Sequence, residues 1–113
     1  VDADEELVQR VGGSDMVRGV TISAVGFYGP QGRELRLPLA NPDLNSRIEA
    51  FSYAGRRITN YEMESAPLQG LARLMGHKAM TVCSIIANRM NHNATPNYKT
   101  AMHDLVATVL DRI

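Results

Sequence analysis

The 113-residue sequence has no net charge, a single cysteine and no long apolar run. Its twelve basic and twelve acidic side chains cancel, so it lacks the basic field of a general nucleic-acid binder, and no nucleic-acid partner is expected. Cys83 has no second cysteine to pair with, which is compatible with a reducing compartment. It sits in the apolar stretch Met80 to Ala87 and reads as core filler rather than as a nucleophile. No apolar stretch reaches the roughly 20 residues that cross a bilayer, and no signal-peptide pattern opens the chain. A cytoplasmic location without a membrane partner is the expectation. Internal repeats, low-complexity tracts, a phosphate-cradling loop, zinc spacing and a placeable Ser-His-Asp order are also missing. His77 follows a helix end and reads as a surface residue, and neither His92 nor His103 has metal-ligand spacing, so no metal is expected.

What is present is the composition of a soluble globular protein, 44% hydrophobic and 21% charged, long enough for one domain with a core of its own. Residues Asp4 to Val11 put Leu7, Val8 and Val11 on one helical face, stopped by Gly12-Gly13. Arg18 to Tyr28 alternates like a strand and is rich in β-branched residues. Leu35 to Leu39 is a short extended piece limited by Pro38. Asn41-Pro42-Asp43 signals a helix start, and the helix is expected to reach Ala54 and stop at Gly55, with Leu44, Ile48, Phe51 and Ser52 turned inward. Arg56 begins another strand. Ser65 opens a helix to about Met75, with Leu68, Leu71, Ala72 and Met75 on one side. The apolar run Ala79 to Ala87 predicts a strand covered on both faces, and Lys99 to Arg112 a last helix with a Met102, Leu105, Val106, Val109 stripe. This alternation of helices and strands predicts an α/β fold.

Two stretches concentrate chemistry. Phe27-Tyr28-Gly29-Pro30-Gln31-Gly32-Arg33 follows a strand and must turn, a common place for a ligand in an α/β fold. Phe27 offers a flat apolar face, Gln31 both donates and accepts, and Arg33 presents a planar fork of donors. A flat heterocycle suits that set, although a solvated polar loop has the same composition. The second stretch, Ile58 to Ser65, brings Glu62-Met63-Glu64 to a strand-to-helix junction. Carboxylates there accept hydroxyl hydrogen bonds while Met63 packs on the apolar face of a polyhydroxylated ligand. The same residues also read as a strand ending in an acidic pair that caps a helix.

Taken together, these stretches resemble the nucleoside phosphorylase family, in its uridine phosphorylase branch. Gly19-Val20-Thr21 followed by Phe27 to Arg33 matches the family's Phe-Tyr-x-x-Gln-x-Arg pyrimidine loop. Asn60-Tyr61-Glu62-Met63-Glu64-Ser65 matches its ribose-binding motif, and Ile85-Ile86-Ala87-Asn88-Arg89 resembles the strand that closes the base pocket. The likeness runs over essentially the whole chain. It implies a central mixed β-sheet flanked by helices. Gln31 and Arg33 would bind the carbonyl edge and N3 of uracil, with Phe27 beside sugar and base. Met63 and Glu64 would hold the ribose, Glu64 accepting from the 2′ and 3′ hydroxyls, and Glu62 would support them. Ile86 and Ala87 would wall the base, and Arg89 would support its polar edge. The purine branch carries an acid near the end of this strand, whereas Ala87-Asn88 stands here, which favours pyrimidine nucleosides.

The reaction implied is reversible phosphorolysis of uridine to uracil and ribose 1-phosphate, with phosphate as co-substrate and no cofactor. Arg33 would stabilise charge on the leaving pyrimidine and Glu64 would orient the sugar; these two are the expected catalytic residues. The family draws its phosphate ligands from an N-terminal half and a neighbouring subunit. Residues 1–113 match the C-terminal portion of one such domain, and Asp2 to Glu6 reads as a helix entered in the middle. A complementary N-terminal fragment or chain, and a homo-oligomer of dimers arranged into a hexamer, are therefore expected partners, and the chain alone is expected to be inactive. A related nucleosidase using water, or a non-catalytic binding or assembly fragment, are the alternatives.

Overall fold

The computed structural model describes residues 1–88 and 93–113. Its centre is a mixed three-stranded sheet of order β1-β3-β2, with β1 at Val20–Ser23, β2 at Ser52–Tyr53 and β3 at Arg56–Glu62. β1 runs parallel to β3, placing Thr21 beside Asn60, Ile22 beside Tyr61 and Ser23 beside Glu62, while β2 pairs antiparallel with β3. Helix α1 (Glu5–Val11) precedes the sheet, α2 (Leu44–Ala50) leads into β2, and α3 (Ser65–Leu74) leaves β3. The short antiparallel pair β4 (Ala87–Asn88) and β5 (Asn93–Ala94) comes before α4 (Tyr98–Arg112). A mixed sheet flanked by helices is the expected α/β class.

Local chemistry explains the helix starts and stops. Asp4 caps α1 by accepting from the Leu7 N–H at 3.0 Å, with Glu5 and Glu6 in the first turn and thus at the positive end of the helix dipole. At the far end of the chain, Arg112 donates to the Val11 carbonyl at 2.9 Å and pairs with Asp15 at 3.0 Å, tying α4 to the end of α1. That guanidinium hydrogen bond holds the Asp15 carboxyl below its ordinary pKa.

Four expected elements differ. The strand foreseen over Arg18 to Tyr28 is limited to four residues, Val20–Ser23, because the chain turns once Gly and Pro enter. Helix α2 ends at Ala50 instead of Ala54, and Ser52–Tyr53 pairs back on Arg56–Arg57. The connecting Ala54 and Gly55 both have positive φ, 49° and 74°, the geometry of a two-residue hairpin turn. Phe51 and Ser52 are therefore exposed rather than inward. The run Ala79 to Ile86 is not a strand: among the described residues it has no ladder neighbour, and it is held by Asp4 donating to Ala79, Gln69 to the Thr81 hydroxyl and Thr95 to Ile86. Leu35 to Leu39 likewise joins no sheet.

The expected core is not closed within this chain. Among the described residues only Val11 and Ala24 are buried hydrophobics, and no large side chain is fully enclosed. The accessible surface is 8617 Å², against about 6,100 Å² for a closed globule of this mass. The stripe of Leu68 and Leu71 on α3, with Met75 just past its end, faces outward. Among the described residues, no helix is long and apolar enough to cross a membrane.

Candidate functional site

Both motif stretches leave the sheet at one edge. β1 and β3 are adjacent and parallel, ending opposite each other at Ser23 and Glu62. The chain after β1 becomes the Phe27–Arg33 loop, and the chain after β3 becomes Met63-Glu64 and α3. The C-terminal edge of neighbouring parallel strands is where open α/β sheets place ligands. The β1–β3 register thus brings together two groups that lie about thirty positions apart in sequence.

In the first group, Pro30 starts a 3-10 turn over Gly29–Gln31. The N–H groups of both Gln31 and Arg33 donate to the Tyr28 carbonyl at 3.0 Å. Gly32 ends the turn at φ 69°, a left-handed geometry that suits glycine. Asn45 of α2 holds its carbonyl at 3.1 Å. The Arg33 guanidinium lies 3.7 Å above the centre of the Phe27 ring, within cation–π range. It also donates to Gln31 Oε1 at 2.6 Å and to the Phe27 carbonyl. Gln31 is buried, while Phe27 and Tyr28 are half exposed with their rings edge to face at 5.2 Å. Phe27, Gln31 and Arg33 thus form one stacked, hydrogen-bonded unit. Both Arg33 bonds leave from Nη1, so among the described residues its Nε and Nη2 donors remain open to a ligand. An open groove of about 610 Å³ adjoins Arg33, lined by Tyr28, Gly29 and residues 35–40.

In the second group the two carboxylates differ. Glu62 is enclosed by donors of its own chain. Its Oε1 accepts from the Ser23 hydroxyl and from the Ser65 hydroxyl at 2.5 Å. Its Oε2 accepts from the Glu64 N–H at 2.7 Å and the Ser65 N–H at 2.5 Å. Burial pushes the Glu62 carboxyl up, but the two hydroxyls and two N–H groups outweigh it and leave its pKa below the ordinary value. Glu64 is exposed, and its side chain accepts from the Met63 N–H at 3.3 Å. Met63 is 39% exposed beside it. One carboxylate therefore holds the junction, and the other projects from it.

The start of α3 is fully provided for. The Ser65 N–H goes to Glu62 and the Ala66 N–H to Ser23 Oγ at 2.8 Å. Pro67 has no N–H to satisfy, and Leu68 begins the helical ladder on the Glu64 carbonyl at 3.1 Å. Ser23 is the member of this arrangement that the motifs did not single out. Its one sequence signal is a hydroxyl closing a strand of β-branched and apolar residues.

Ile86 and Ala87, read as base-wall residues, are exposed near the β4–β5 pair. Arg89 and His92 lie outside the described residues. Cys83 is half-buried beside Asn60: burial raises its thiol pKa, Asn60 opposes this and the Glu62 charge adds to it. No cluster of metal-ligating side chains occurs among the described residues.

A family model described as the phosphorylase superfamily matches residues 1–112. The curated uridine phosphorylase of Thermococcus kodakarensis is 36% identical over 80 residues, covering 66% of this chain. That match spans 26% of the relative's length. No solved structure matches the chain. The family match over nearly every residue agrees with the resemblance carried by the two motifs: the chain belongs to the phosphorylase superfamily, as a member of the nucleoside phosphorylase family.

Proposed function

We propose that this chain carries the nucleoside-binding side of a uridine phosphorylase. The observation that supports it most is the shared edge: the Phe27–Gln31–Arg33 unit and the Met63-Glu64 pair leave adjacent parallel strands that end at Ser23 and Glu62. In this reading Arg33 and Gln31 engage the uracil carbonyls and N3, and Phe27 carries the arginine as a shelf. Glu64 accepts from the ribose hydroxyls with Met63 against the sugar's apolar face. Glu62 supports that pair, and Ile86, Ala87 and Arg89 complete the base side.

Phosphate attacks C1′ as the glycosidic bond breaks, and the bonding electrons pass to the pyrimidine. Arg33 lowers the barrier by meeting charge that develops on the base, and Glu64 contributes orientation. No cofactor is needed, since phosphate is the second substrate. In this reading the phosphate ligands come from a complementary N-terminal fragment or chain. The outward stripe on α3 and the large accessible surface favour a covering partner; the hexamer of dimers is what the family resemblance implies.

The test is product analysis with and without phosphate. The 113-residue chain alone should release no uracil, and the protein complemented by the remaining portion should yield ribose 1-phosphate only when phosphate is present. Free ribose formed without phosphate would replace this reading with a nucleosidase. Phosphate-dependent uracil release by the isolated chain would refute the division of labour.

A further inference from the structure

Ser23 is placed to do more than end a strand. Its Oγ has one hydrogen to give and two lone pairs. The hydrogen goes to Glu62 Oε1, one lone pair takes the Ala66 N–H at 2.8 Å, and Ser65 Oγ lies 2.9 Å away. Ser23 belongs to β1, the strand that feeds the Phe27–Arg33 loop. Glu62, Ser65 and Ala66 belong to the junction that presents Met63 and Glu64. Below Ser23, the β1–β3 ladder holds the strands by backbone bonds, and the Ala24 N–H adds one to the Glu62 carbonyl at 2.9 Å. Beyond that point Ser23 is a side chain that joins the two groups.

Glu62 passes this constraint on. With Oε1 held by Ser23 and Ser65, its Oε2 fixes the Glu64 N–H at 2.7 Å. The backbone of the proposed ribose-holding residue is therefore positioned by a carboxylate that is itself positioned from β1. Four donors converge on the two oxygens, an arrangement that favours the anion.

We infer that Ser23, acting through Glu62, is a positioning residue that sets the Met63-Glu64 pair relative to the Phe27–Arg33 loop, so that base and sugar of one nucleoside are gripped together. This rests on the proposed nucleoside site. It assigns Ser23 no contact with the ligand. Its loss should damage recognition of the joined molecule and spare recognition of the base alone, because the base loop keeps its own turn, its Phe27–Arg33 stack and its Asn45 tether.

The experiment compares uridine and uracil binding by calorimetry for the wild type, Ser23→Ala and Ser23→Thr in the protein as it assembles in solution. For Ser23→Ala, uridine affinity should fall about tenfold or more, the scale of a modest misplacement of binding groups. Uracil affinity should stay within about twofold, and Ser23→Thr, which keeps a hydroxyl, should recover part of the uridine loss. Equal losses for uridine and uracil would mean a general structural role and overturn the inference, as would an Ala variant that binds uridine like the wild type. A wild type that binds neither ligand would instead overturn the nucleoside site itself, and the positioning role with it.

Discussion

Ser23 and Glu62 stand opposite each other at the ends of adjacent parallel strands, and the serine hydroxyl donates to the carboxylate. This contact closes the gap between strand pairing and helix capping. It also divides labour between neighbouring acids: Glu62 is turned into the protein, and Glu64 is left facing solvent.

Glu62→Gln should destabilise the fold by about 2 kcal/mol, since a neutral amide has one acceptor oxygen and no charge where the carboxylate meets four donors with two charged oxygens. The sign of the pH effect follows from a depressed folded pKa. The stabilisation from ionised Glu62 is complete above its unfolded value and is lost as pH falls through the lower folded value. Urea unfolding across the acid range should show wild-type stability falling below about pH 4.5, with Glu62→Gln less affected there. Parallel pH curves for the two proteins would contradict this account.

Arg33→Lys should be nearly as damaging to uridine binding as Arg33→Ala. Lysine retains the charge, but it loses the planar fork and the stack on Phe27. A loss of about 1.5–3 kcal/mol is expected for either change, the range for hydrogen bonds with a charged partner. Full retention of affinity in Arg33→Lys would show that charge alone suffices.

Glu64→Ala should cost uridine more affinity than 2′-deoxyuridine. The proposed carboxylate contact includes the 2′ hydroxyl, so a double-mutant cycle between residue and ligand should give a coupling of about 1 kcal/mol or more. Additive effects would remove the 2′ hydroxyl from Glu64's role.

The Ala54-Gly55 turn gives a prediction remote from the site. Gly55→Ala places a Cβ at φ 74° and should lower stability by roughly 1 kcal/mol. Ala54→Gly relieves the same strain at φ 49° and should be neutral or mildly stabilising. Thermal unfolding of the two variants checks the pair, and a stabilising Gly55→Ala would contradict a left-handed turn.

Much of this architecture is legible in the chain. Gly12 after Val11 and Ser65 with Pro67 mark helix ends by local chemistry, and the helices over 5–11, 65–74 and 98–112 appear close to where periodicity puts them; Asp2 to Glu6, read as a helix already under way, instead holds the start of α1, which Asp4 caps. The turn at position 54 is hidden because Leu44, Ile48 and Phe51 keep a helical period into a segment that turns back as a hairpin, through Ala-Gly rather than the commoner Asn-Gly. The run from Ala79 is apolar enough for a buried strand, but a strand also needs neighbours, and composition cannot supply their hydrogen bonds. At the site, motif spacing picks out Gln31, Arg33, Met63 and Glu64 without revealing their spatial relation. That relation depends on the β1–β3 register, and Ser23 becomes noticeable only once Glu62 lies across from it.

The most direct measurement of the central claim is calorimetric titration of the assembled protein with uridine, in the presence and absence of phosphate, for the wild type, Arg33→Ala and Glu64→Ala. Saturable uridine binding by the wild type, lost or strongly weakened in both variants, is the predicted result. Equal binding by all three proteins would contradict the assignment of the nucleoside site to the edge where β1 and β3 end.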